Sequence, residues 1–232
     1  MSGPLVIAHR GASRAERENT LQAFSTAVLM KADAIELDVR LTADSQMAVH
    51  HDAGFETPEG QRLVVQSTVA ELAGHIPLLE AALDACAGVL VNIEIKNIAS
   101  DPDFDPDRRL AGLVVDLLAA RSRRDRVLVS SFDPGTITQV RRLDPGVDTA
   151  LLTYDDDPER SLSACVDAGH VAVHPWDRKV DERFVAAAHA VGLKVNVWTV
   201  DEPERIAELA RWGVDGIVTN VPDVALATLG RS

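Results

Sequence analysis

Residues 194–218, KVNVWTVDEPERIAELARWGVDGIV, hold a complete strand–helix–strand unit. Lys194–Trp198 is a short run with every second residue apolar. Pro203–Trp212 has helical periodicity and opens on a proline suited to a first turn. Gly213 follows where a left-handed cap is expected, and Gly216–Val218 is a second apolar run. The same rhythm fills the chain. Further apolar runs lie at Leu5–Ala8, Ala34–Val39, Val89–Ile95, Val127–Val129, Thr149–Leu152 and Val171–Val173. Helical patterns separate them at Leu21–Met30, Leu78–Cys86, Leu110–Ala120, Gly135–Leu143, Pro158–Ala168 and Asp181–Val191, and Pro222–Leu229 closes the series. Eight strands alternating with eight helices predict an α/β fold, a TIM (β/α)8 barrel. A doubly wound sheet would carry a Gly-rich first turn, and HRGASRAE has no GxGxxG. One segment breaks the rhythm. Residues 45–75, beginning within the hairpin pattern TADSQMAVHHD, read as an extended loop with its own short strands, inserted after the second strand. A single domain spanning 1–232 is expected.

The composition bounds the partners. There are 232 residues, 36 acidic against 23 basic, for a formal net charge of −13. Such a surface repels nucleic acid and anionic membranes, which bind through clustered Lys and Arg. A small anionic substrate requires a local group of cations or a metal. Cys86 and Cys165 sit in apolar helical patterns outside any CxxC pair and read as free thiols in a reducing compartment. MSGPLVIAHRG has no basic n-region and no long apolar stretch, so a cytoplasmic protein without a membrane span is expected. Oligomeric state is not legible.

In a barrel of this type the site lies at the C-terminal ends of the strands. Period-two alternation sorts the polar residues there. Leu5, Ile7 and His9 share one face of the first strand, which puts His9 at its inner top, with Arg10 on the following turn. In AIELDVRL, Glu36 and Asp38 share a face opposite Ile35, Leu37 and Val39. The apolar face must meet the helices, so both carboxylates point into the barrel mouth. LVNIEIKN adds Glu94 and Lys96 two apart, with Asn92 on their face. Three acids on adjacent strands are costly to bury without a cation, so Glu36, Asp38 and Glu94 are candidate metal ligands. An all-oxygen set favours Mg²⁺ or Ca²⁺. His51, after the hairpin, is placed to face His9 across the metal, two imidazoles suited to acid and base work. His50 reads as a spectator, and Trp198 as an apolar wall.

HRG followed by ENTLQAF, ADAIELDVRLT, VHHD, IPLLEAAL, NIEIK, VLVSSFDP, VWTVD and GVDGIVTN, in that order from Val6 to Asp223, resembles the glycerophosphodiester phosphodiesterase family. The resemblance implies a TIM barrel that uses a divalent metal to hydrolyse glycerophosphodiesters to sn-glycerol 3-phosphate and an alcohol. It implies acid/base roles for His9 and His51, metal ligation by Glu36, Asp38 and Glu94, and substrate contacts from Arg10, Lys96 and Trp198. The chain departs from the family pattern at Arg17 (usually Pro), Lys31 (usually Gly), Asp44-Ser45 (usually Asp-Gly) and Asn220 (commonly Asp). Its loop AGFETPEGQRLVVQST also differs, which bears on the choice of alcohol. The nucleophile is either water or the neighbouring glycerol hydroxyl, the latter giving a cyclic phosphate. Three alternatives compete with this reading. A lysophospholipase D-like or sphingomyelinase D-like enzyme needs an apolar groove, and aromatic residues make up only 4% of this chain. A Schiff-base enzyme using Lys96 needs a depressed lysine pKa, which the adjoining Glu94 opposes. A non-catalytic barrel predicts the loss of a site residue, and none is missing.

Overall fold

The computed structural model describes residues 3–121, 125–154 and 157–231; the span 1–232 expected to form one domain thus includes residues outside that set. The strands are β1 (Leu5–His9), β2 (Ala34–Leu41), β3 (Met47–Val49), β4 (Gly54–Thr57), β5 (Gly60–Leu63), β6 (Leu90–Ile95), β7 (Arg126–Ser131), β8 (Asp148–Thr153), β9 (Ala172–Pro175), β10 (Lys194–Val197) and β11 (Gly216–Thr219). The helices are α1 (Leu21–Leu29), α2 (Leu79–Ala85), α3 (Arg109–Ala120), α4 (Pro134–Leu143), α5 (Pro158–Ala168), α6 (Glu182–Ala190), α7 (Pro203–Trp212) and α8 (Pro222–Thr228). β1, β2 and β6 to β11 pair in parallel, and β1 bonds both β11 and β2, so the ring closes as a (β/α)8 barrel. Closure leaves none of the eight with an open edge.

Alternation separates two cores. The outward Ile35, Leu37, Val39 and Leu41 of β2 and Ile93 and Ile95 of β6 pack with Phe24 of α1, Leu79 and Leu83 of α2 and Leu110 of α3. The inward face is filled lower down by Ile7, Ala34 and Val218, and by Leu128, Ala150 and Ala172. Capping fixes the helix starts: Thr20 Oγ1 accepts from the Ala23 N–H, and Asp133, Asp157 and Asp181 cap α4, α5 and α6. Gly213 takes the expected left-handed cap at φ 80°, and Gly169 ends α5 in the same way at φ 72°. Lys31 and Ser45, the two departures at expected glycines, adopt the same region at φ 66° and 57°. The backbone there keeps the turn that glycine would make easier.

The insertion follows β2. β3 folds back antiparallel on the end of that strand, pairing Val39 with Val49 and Leu41 with Met47. β4 and β5 form a separate hairpin over a small core of Ala48, Phe55, Val64 and Ile76. This return is what brings the His50–His51 corner to the barrel rim. Cys86 and Cys165 are buried and free. No helix among the described residues is long and apolar enough to cross a membrane.

Candidate active site

Register places the charged residues side by side. His9 lies opposite Glu36, Glu36 opposite Asn92, and Asp38 opposite Glu94. One oxygen each of Glu36, Asp38 and Glu94 falls within 4.8 Å of the others, and all three residues are buried. Lys96 Nζ reaches Asp38 Oδ1 at 3.0 Å and Glu94 Oε1 at 2.5 Å. Arg10 leaves β1 in a left-handed conformation, φ 56°, which turns its guanidinium back over the rim. There its Nε lies 3.2 Å from Asp38 Oδ2, and its Nη1 donates to both oxygens of Glu18. Its backbone N–H donates to Glu36 Oε2 at 3.0 Å.

The charges do not balance. Four carboxylates (Glu18, Glu36, Asp38, Glu94) meet two cations (Arg10, Lys96), and the excess of two negative charges is what one dication cancels. The crowding acts on the protonation of each group. Burial pushes Glu36 well up, with Asp38 and Glu94 adding to the rise. Glu94 is likewise raised by burial, against the pull of Lys96. Asp38 goes the other way: burial opposes its ionisation, but Lys96 and Arg10 outweigh burial and hold it well below the usual carboxylate range. Lys96 is raised, because Asp38 and Glu94 outweigh its burial, which argues against a Schiff-base amine. Glu36 Oε1 is buried with no hydrogen-bond partner. An orphaned oxygen beside two more carboxylates fits a hard dication.

The histidines differ in setting. His9 Nδ1 lies 2.7 Å from Asn220 Oδ1, while Asn220 Nδ2 donates to Asp201 Oδ2 at 2.7 Å. Asp201 thereby fixes which way the amide points, so His9 donates from Nδ1 and keeps its Nε2 lone pair on the side of Glu36, 3.9 Å away. Burial, with Arg10 close by, lowers the His9 imidazole to about 4. His51 is half-buried on the loop after β3, with Nδ1 2.7 Å from Asp52 Oδ1. Burial lowers it too; Asp38 acts against this, and Lys96 and Arg10 add to it, which puts the ring within electrostatic reach of the charged rim. His50 instead contacts the Gly54 carbonyl.

The other half of the rim is aromatic. Phe132, Tyr154, Trp176 and Trp198 each stand one residue after β7, β8, β9 and β10. Phe132 stacks on Tyr154 at 4.9 Å, and Trp198 sets its edge against both. Trp198 Nε1 donates to the His174 carbonyl, which fixes the indole. An opening lies between the two halves, bordered by His9, Glu36 and Glu94 on one side and Phe132 and Trp198 on the other. Sequence reasoning singled out Trp198 alone of the four aromatics. It also passed over Asn19, whose amide donates to Asp38 Oδ2 at 2.7 Å. The signals were present: an aromatic after each of four successive strands, and an Asn directly before a helix cap.

The model of the Glycerophosphoryl diester phosphodiesterase family matches residues 9–224. A glycerophosphodiester phosphodiesterase of Bacillus altitudinis is 34% identical over 244 residues, covering 95% of this chain and 96% of its own. The crystal structure of a glycerophosphodiester phosphodiesterase from Thermotoga maritima superposes with a TM-score of 0.82 at 25% identity, over the whole of both chains. A phosphodiesterase of Oleispira antarctica, solved with the product sn-glycerol-3-phosphate, shares the fold with a TM-score of 0.89 at 22% identity, over 98% of this chain and 97% of its own.

Proposed function

This chain belongs to the glycerophosphoryl diester phosphodiesterase family and is an enzyme of that activity, and we propose that it acts with a divalent metal and two histidines on soluble glycerophosphodiesters, giving sn-glycerol 3-phosphate and an alcohol. The observation that carries this reading is the buried triad of Glu36, Asp38 and Glu94, whose carboxylates also hold Lys96 and Arg10. Glu36, Asp38 and Glu94 would hold the ion, Mg²⁺ or Ca²⁺ by the donor set. When bound, it supplies Lewis-acid stabilisation of the phosphoryl oxygens. Arg10 and Lys96, whose present partners are those same carboxylates and Glu18, are the cations placed to meet the phosphate. Arg10 can fork onto two oxygens while Lys96 acts as a point charge. They neutralise charge as it develops in the transition state.

His9, neutral and holding a free Nε2 lone pair, suits the base that takes a proton from the nucleophile, whether water or the glycerol hydroxyl. His51, with its Nδ1 on the Asp52 carboxylate, suits the acid that protonates the leaving alkoxide. Trp198 and its aromatic neighbours offer the carbon skeleton of the substrate an apolar wall. The test is phosphate release, coupled through an auxiliary phosphatase, from a panel of glycerophosphodiesters and a lysolipid, with Mg²⁺, Ca²⁺, Mn²⁺ or chelator. Release from the soluble diesters with metal, lost in chelator, is expected. Full rates in chelator remove the metal, and release from the lysolipid alone removes the substrate class.

A further inference from the structure

Arg40 continues the inward face of β2 two residues beyond Asp38, and its side chain is 3% exposed. Among the described residues its hydrogen bonds and ion pairs go elsewhere than the carboxylate triad. Its Nη1 donates to both oxygens of Asp103, at 2.7 and 2.6 Å, and its Nη2 donates to Asp101 Oδ2 at 2.9 Å. Both aspartates lie in the segment between β6 and α3. Its third nitrogen, Nε, donates to the backbone carbonyl of His51 at 2.8 Å. One guanidinium thus ties three pieces of chain: the strand that carries Glu36 and Asp38, the segment leading from Lys96 to α3, and the corner that carries His51.

A buried ion pair of this kind is weak evidence for stability, since well-packed apolar residues often serve as well or better. What it supplies here is geometry. His51 lies outside any strand or helix, and the carboxylate that its ring contacts, Asp52, is 74% exposed. An exposed partner orients a side chain poorly. The rigid, planar fork of Arg40 holds the backbone from which that ring projects. Arg40 is 3% exposed and all three of its nitrogens are engaged, so it is occupied as a latch and is not open to a phosphate.

We propose that Arg40, clamped by Asp101 and Asp103, is a positioning residue that sets the His51 imidazole against the barrel rim. The proposal rests on the assignment of His51 to proton transfer, and the experiment separates the two. Arg40→Gln is expected to lower kcat by ~10–100-fold, the cost of a catalytic group displaced by about an ångström, with KM changed by less than about threefold. In a cycle with His51→Ala the two losses should not multiply, so that the double variant turns over like His51→Ala alone. Hydrogen exchange at residues 50–53 should quicken in Arg40→Gln. Asp103→Asn, which leaves no uncompensated buried charge, should reproduce the direction of each effect if Arg40→Gln folds poorly. Losses that multiply, an unchanged kcat, or unchanged exchange at residues 50–53 would overturn the latch. Near-wild-type turnover in His51→Ala removes the histidine's role, and the positioning role falls with it. A large loss in His51→Ala with multiplicative coupling removes the latch alone.

Discussion

His9 and His51 are unequal residues, and their substitution should show it. His9 is aimed by Asn220, which Asp201 holds in turn, and burial keeps the ring neutral with one nitrogen open. His51 depends on an exposed aspartate and on a backbone tether. Alanine at either position should cut kcat by ~10²–10⁴-fold, the usual worth of a positioned proton-transfer group. The His9 partner set can be weakened without touching the ring: Asn220→Ala should cost part of the His9 effect and nothing beyond it in a His9→Ala background. Steady-state kinetics on one glycerophosphodiester decides both, and rates near wild type in either alanine variant would end the two-histidine scheme. Strand alternation in the sequence placed Glu36, Asp38 and Glu94 on one face, because period two is a property of the backbone. It could not place the guanidinium of Arg10, whose direction comes from a left-handed φ, nor Asn19 and Asn220, whose roles come from contacts 19 and 211 residues away along the chain.

At the level of elements, the barrel divides its rim between two chemistries: β1, β2 and β6 end in charge, and β7 to β10 end one residue before aromatics. Joining the charged strands to their helices sets tight demands. Gly11 follows His9 and Arg10 with φ 82°, and a Cβ there would lie 2.6 Å from the carbonyl carbon of Ala23 in α1. The β1–α1 corner therefore needs both the left-handed backbone and the missing side chain. Gly11→Ala should cost about 2 kcal/mol or more, from strain and overpacking together, read as a fall in the urea midpoint with an unchanged slope. A variant as stable as wild type would show that the corner yields. The eight strands and eight helices were legible because each is a short apolar run or a capped periodic stretch. The insertion was legible as an extended loop with short strands of its own, but not the bounds of the β4–β5 hairpin, since each strand is only four residues long and alternation in so short a span carries little signal.

Across the whole molecule, stability and function meet in buried groups that resist or demand charge. His174 lies fully buried under the opening, accepts from Asn196 Nδ2, and is held by burial at about 3, against an ordinary 6.5. As pH falls below about 6.5 the unfolded chain takes this proton and the native one does not, so stability falls with pH. The slope is about 1.4 kcal/mol per pH unit for this one group, through the window down to about 3. His174→Gln should flatten the urea stability profile by that slope; parallel profiles would refute the assignment. Glu36 and Glu94 at the rim act in the opposite sense: burial raises both, and folding gathers them with Asp38 within 4.8 Å while the unfolded chain disperses them. A dication that binds only the folded state relieves that crowding. At a hundredfold excess over its dissociation constant it adds about 2.7 kcal/mol. At ~2–4 °C per kcal/mol for a chain of this size, Tm should rise by roughly 5–10 °C with Mg²⁺ or Ca²⁺. Glu94→Gln should remove most of that rise, and it should also raise Tm in chelator, because one repelling charge is gone. A metal-induced shift as large in Glu94→Gln as in the parent chain would place the ion elsewhere.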